Sequence, residues 1–201
     1  MKWTMRNLIG SLGLLAWSVT LPNRAAADES KELAAFQLIK EGNRYLGEES
    51  KDKVVQIRSE KSIGSLTPNI WFIVYYDPDA AAKAAEVKFI AGKKAWVHRS
   101  PRILELGSRA HLPLNRQKMK VDSDKAIETA TKEPVLKNLK VLATRLTLER
   151  WGEDSDAPAW KVRLWAAKLR NPSRDVDIGE VVISAEDGQV LKDDLHIDRV
   201  D

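Results

Sequence analysis

The stretch from Ala159 to Lys192 opens with apolar and polar residues alternating at a period of two. Trp160, Val162 and Leu164 interleave with Lys161, Arg163 and Trp165, a spacing that puts one set on each face of a β-strand. A charged stretch containing Pro172 then reads as a loop, and 181–185 and 189–191 read as two further strands. Asp187-Gly188 supplies the positive φ angles of a tight turn between them. The stretch predicts the edge of an antiparallel sheet.

Upstream, the period changes first to that of a helix. Ala35, Leu38, Ile39, Gly42 and Leu46 share one face at three-and-four spacing, with Ser30 placed as a cap and Gly47 as a stop. Strands follow at 54–58 and 69–76, then a hairpin of 85–90 and 94–98 reversing around Gly92. The second half runs in the same order. Ser123 is placed to cap a helix through Ala126, Ile127 and Ala130 that Pro134 stops, a long strand spans 140–149, and the Trp160 hairpin closes the set. Trp71 falls opposite Trp160, and 86–90 opposite 180–184.

This order predicts an α+β protein of two tandem units, each one helix packed on a small antiparallel sheet, at 28–100 and 120–201 with a linker at 101–119. Each unit alone has a marginal core, so the two are expected to share an interface. Trp160 and Trp165 differ in parity, as do Trp71 and Tyr75 against Phe72 and Tyr76. A regular strand cannot bury both sets on one face. One face packs the helix, and the other meets the second unit, a partner or water, in that order of preference.

The first residues alter the charge balance. Lys2 and Arg6 precede an apolar run from Leu8 to Leu21, and Arg24-Ala25-Ala26-Ala27 follows, the layout of a signal peptide cleaved after Ala27. The run is short and broken by Gly10, Ser11, Gly13 and Ser18, so no stable membrane span is expected after cleavage, and the mature chain is expected to be periplasmic or secreted. The chain has 33 Lys+Arg and 29 Asp+Glu; removing Lys2, Arg6 and Arg24 leaves 30 against 29. Near-neutral charge of that kind argues against nucleic acid as a partner. With no cysteine, there is no disulfide, thiol nucleophile or thiolate metal site.

Residue patterns that could carry chemistry are sparse. His98, His111 and His196 lie in separate segments without a metal-binding spacing. Ser50-Lys51-Asp52-Lys53 matches a serine-lysine nucleophile pattern, in a charged loop without its companion motifs. Asp154 and Asp156, and Asp175 and Asp177, are spaced as in a calcium loop but lack its full ligand series. The sequence therefore predicts no catalytic residue, no metal and no cofactor.

The second half resembles a PepSY domain in three stretches: Val121-Asp122-Ser123-Asp124-Lys125-Ala126-Ile127, Trp160-Lys161-Val162, and Val181-Val182-Ile183-Ser184-Ala185-Glu186-Asp187-Gly188-Gln189-Val190-Leu191. The resemblance covers 121–193 and extends faintly to 30–98, where Gly92-Lys93-Lys94 departs from the acidic-Gly turn. It implies a PepSY/cystatin-like helix-on-sheet fold and a non-enzymatic exported protein that binds a protein or peptide, with a peptidase as the partner it restrains or regulates. The binding residues expected are Lys161, Arg163 and Trp165, on the strand face opposite Trp160. The alternative is a binder of a small ligand or envelope component, using a pocket between helix and sheet lined by aromatics.

Overall fold

The structure is a computed structural model that describes residues 33–81, 83–99, 112–152 and 156–200. The expected signal peptide at 1–27 and most of the expected linker lie outside the described residues. In chain order the main elements are α1 (Ala35–Gly42), β1 (Val54–Ser59), β2 (Ile70–Tyr76), β3 (Ala84–Ile90), β4 (Lys93–His98), α2 (Ser123–Thr131), β5 (Leu139–Arg150), β6 (Pro158–Lys168), β7 (Asn171–Ser184) and β8 (Val190–Leu195).

All eight strands belong to one antiparallel sheet in the order β4-β3-β2-β1-β5-β6-β7-β8. This corrects the expectation of two tandem helix-on-sheet units. The physical reason lies in the strand edges: β1, paired with β2, and β5, paired with β6, would each leave a row of unpaired backbone groups, and joining them satisfies both. The join is brief. Ile57 partners Leu148 and Arg58 partners Thr147, after which β1 diverges and serine hydroxyls take over. Leu146 N–H donates to Ser59 Oγ at 2.9 Å and Thr144 N–H to Ser62 Oγ at 2.9 Å. Thr144 Oγ1 donates in turn to the Leu66 carbonyl at 2.6 Å.

Because partnered residues point to the same side, the apolar rows of both halves share one face. Ile57, Trp71, Ile73, Tyr75, Val87 and Phe89 continue into Leu146, Leu148, Trp160, Val162, Leu164 and Val181, and all are buried in one cluster with Leu38 and Ile39 of α1 and Ala126 and Ala130 of α2. Both helices therefore cover the same face. Gly42 marks the closest approach of α1: a Cβ there would lie 2.1 Å from Tyr75 Oη, which donates to the Ile39 carbonyl at 3.0 Å.

The helices also cap one another. The residue before α1 is Ala34, which offers no side-chain cap. Instead Ala35 N–H donates to Ser123 Oγ at 3.0 Å, and Phe36 N–H to the Asp122 carboxylate at 3.1 Å. Asp122 also accepts from Ser123 N–H at 2.7 Å at the start of α2. One carboxylate thus sits between two helix N-termini, whose partial positive charges favour it there. Burial pushes the Asp122 carboxyl above its ordinary range, and the bonds from Ser123 and Phe36 pull it back. The capping expected of Ser123 for its own helix goes to Asp122, while Ser123 serves α1. The expected cap Ser30 lies outside the described residues.

Two segments differ from their sequence pattern. The helix expected to reach Leu46 is α-helical only to Gly42 and continues as short 3-10 turns at Asn43–Tyr45 and Glu48–Ser50. The loop expected around Pro172 is strand: β7 begins at Asn171 and pairs with β6 from Lys168 onwards. It bends at Gly179, whose φ of +106° suits glycine alone, and where a Cβ would lie 2.1 Å from the Asp194 carbonyl oxygen.

Candidate functional site

With both helices on one side, the other face of the sheet carries the remaining parity set. One row crosses all eight strands: Trp96, Lys88, Phe72, Arg58, Thr147, Lys161, Val182 and Lys192 are successive cross-strand partners. A second row runs from Arg145 through Arg163 and Glu180 to Asp194. The two halves do not pack face to face. Their edge-to-edge join turns both polar faces the same way, so the interface that parity placed first for this face does not form.

Aromatic rings on this face lie beneath cations. Phe72 has the Arg58 guanidinium 4.8 Å and the Lys88 ammonium 4.9 Å from its ring centre. It also tilts against Trp96 at 6.1 Å, which meets His98 edge-on at 5.3 Å. Trp165 has Lys61 at 4.7 Å and Arg145 at 5.8 Å. Such contacts hold a cation and an apolar ring together without excluding water.

Carboxylates interleave with the cations. Arg58 pairs with Glu86 at 2.5 Å, Lys161 with Glu149 at 2.5 Å, Arg163 with Asp177 at 2.7 Å, and Lys61 with Asp175. Gln56 donates to Glu149 at 2.9 Å. Glu86 is buried beside a small apolar cluster of Val55, Val74 and Ala84 at this end of the face. Burial raises its carboxyl pKa, and the Arg58 guanidinium opposes that shift. At the β8 end, Arg163, Gly179, Glu180, Asp194, His196 and Arg199 line an open cavity of about 220 Å³.

Lys161, Arg163 and Trp165 all lie on this face, half-buried and on one strand. Lys161 and Arg163 are neutralised by neighbouring acids, which their sequence did not show. Arg145, Lys61, Arg58 and Phe72 belong to the same surface, and the Lys61–Trp165 contact escapes sequence reasoning because it spans the β1–β5 join. Arg145 left a trace as a polar position in a strand that alternates with Leu146 and Leu148, and Phe72 through its parity opposite Trp71.

The other candidate chemistries do not assemble. Ser50 is buried, and the Lys53 ammonium lies 3.8 Å from Glu49 and 5.8 Å from the Tyr76 ring centre. His98 and His196 sit on β4 and after β8, at opposite ends of the sheet; His111 lies outside the described residues. Asp156 binds Lys118 at 2.6 Å, Asp175 and Asp177 are held by Lys61 and Arg163, and Asp154 lies outside the described residues. Among the described residues no group of three or more metal-ligating side chains is placed to hold an ion. The helix-sheet space is filled: Leu38, Ile39, Trp71, Tyr75, Ala126 and Trp160 are each at most 1% exposed.

No protein-family model matches the chain, and neither does a curated protein or a solved structure.

Proposed function

We propose that this is a non-enzymatic exported protein that binds a segment of another protein on the open face of its sheet. The observation that carries the reading is a sheet of eight strands covered by helices on one side only, with rings under cations on the other. Tryptophan and arginine side chains contribute most of the energy in protein interfaces, because they bury large areas while keeping polar contacts. Interleaved carboxylates make the face nearly neutral, which suits a protein partner better than a polyanion. The PepSY resemblance adds a finer proposal, that the partner is a peptidase held in check. The signal-like first residues support an extracytoplasmic setting; no helix among the described residues is long and apolar enough to cross a membrane.

A photo-crosslinking side chain at Thr147, on the open face, tests this against one at Val135, exposed after α2. In cells, position 147 is expected to capture one reproducible protein that position 135 does not. Purified, that protein is expected to lose peptidase activity on adding the chain. No adduct, or the same adducts from both positions, would contradict the reading.

A further inference from the structure

We propose that the partner segment is acidic, and that Arg145 is the residue that takes its carboxylate beside the Trp165 ring. This inference rests on the open face being the binding surface. Arg145 on β5 is the direct cross-strand partner of Arg163 on β6. Like charges placed opposite on adjacent strands destabilise a sheet, and here only one of the two is discharged. Arg163 holds Asp177 at 2.7 Å, whereas Arg145 is exposed and makes no ion pair among the described residues.

Four other cations of this face are matched. Arg58 has Glu86, Lys88 has Glu60 at 3.5 Å, Lys161 has Glu149 and Lys61 has Asp175. Arg145 therefore leaves unmatched positive charge next to a half-buried indole, with exposed Lys140 further along the same strand face. A carboxylate approaching over Trp165 meets the Arg145 guanidinium in a geometry suited to a two-point contact, and the ring offers apolar area to an adjacent side chain. Asp175, Asp177 and Glu180 line the β7 side of the spot, so a long polyanion running across the strands would meet repulsion there. Discrete acidic side chains in an extended protein segment fit it.

The test uses the full chain and three fluorescein-labelled eight-residue peptides that alternate valine with glutamate, glutamine or lysine, titrated by fluorescence anisotropy. The glutamate peptide is expected to bind about tenfold or more tighter than the glutamine one, with the preference weakening as salt rises. Arg145→Glu is expected to abolish that preference while raising the thermal midpoint, since it places opposite charges across from each other. Loss of binding in a protein that has become more stable cannot come from unfolding. Arg145→Lys is expected to retain part of the preference.

Undiminished binding of the glutamate peptide to Arg145→Glu would overturn the role of Arg145. Equal binding of the glutamine peptide, abolished by Trp165→Ala, would overturn the acidic segment and leave the open-face reading standing. Binding of none of the three would overturn both.

Discussion

On one side of β6, Trp160, Val162, Leu164 and Ala166 are sealed beneath the helices; on the other, Lys161, Arg163 and Trp165 are only half-buried. Trp160 stacks on Phe36 of α1 at 6.0 Å and donates to the Val121 carbonyl at 2.8 Å, so one residue ties both helical layers to the sheet. Trp165 has the cationic ends of the Lys61 and Arg145 side chains over its ring. The first kind of burial removes apolar area from water and is costly to undo. The second holds charges near rings in contact with solvent, and a partner can replace it at small cost. A single strand thus supplies stability on one face and a surface free to bind on the other.

Truncating the two tryptophans in turn separates the two faces most strongly. Trp160→Ala is expected to cost about 3–5 kcal/mol in denaturant unfolding, from the cavity and the lost Val121 contact. Trp165→Ala is expected to cost about 1 kcal/mol or less, since water fills the space it leaves. Equal losses would mean that the open face is as sealed as the covered one.

A smaller effect is expected at the helix junction on the covered face. Asp122→Ala removes the acceptor shared by the starts of α1 and α2 and is expected to lower stability by about 1–2 kcal/mol. Asp122→Asn keeps one acceptor oxygen and is expected to recover much of that loss. If both variants unfold at the wild-type midpoint, the carboxylate does not hold the helices.

Much of the local structure was legible in the chain. The opposite parity of Trp160 and Trp165 puts them on opposite faces, and apart from β7 the strands begin and end within a few residues of the apolar alternation. The sheet as a whole was not legible, because periodicity describes a strand's faces and says nothing of which edges meet. Ser59 is the one local trace of the join: a small hydroxyl at a core-side position where an apolar residue would be expected. The first half of β7 was hidden by Pro172 and dense charge, although Val176 and Ile178 already alternate with Asp175 and Asp177. Those two aspartates have only the two-residue spacing of a cation loop in sequence, and in the sheet they are the partners of Lys61 and Arg163. The cap of α1 comes from residues 86 to 88 positions downstream, a distance over which sequence spacing carries no signal.

The shared open face exists only if the sheet is continuous across β1 and β5, and the absence of natural cysteine makes that directly measurable. Arg58 and Thr147 are cross-strand partners, so their Cα atoms lie about 4.5–5.5 Å apart, within disulfide range. Arg58→Cys combined with Thr147→Cys is expected to oxidise rapidly to an intramolecular disulfide in the folded protein. Arg58→Cys with Lys192→Cys, four strand spacings or about 19 Å apart, is expected to stay reduced. A 58–147 pair that remains as free thiols under the same oxidant, or reacts no faster than the 58–192 pair, would contradict the single sheet and the shared open face built on it.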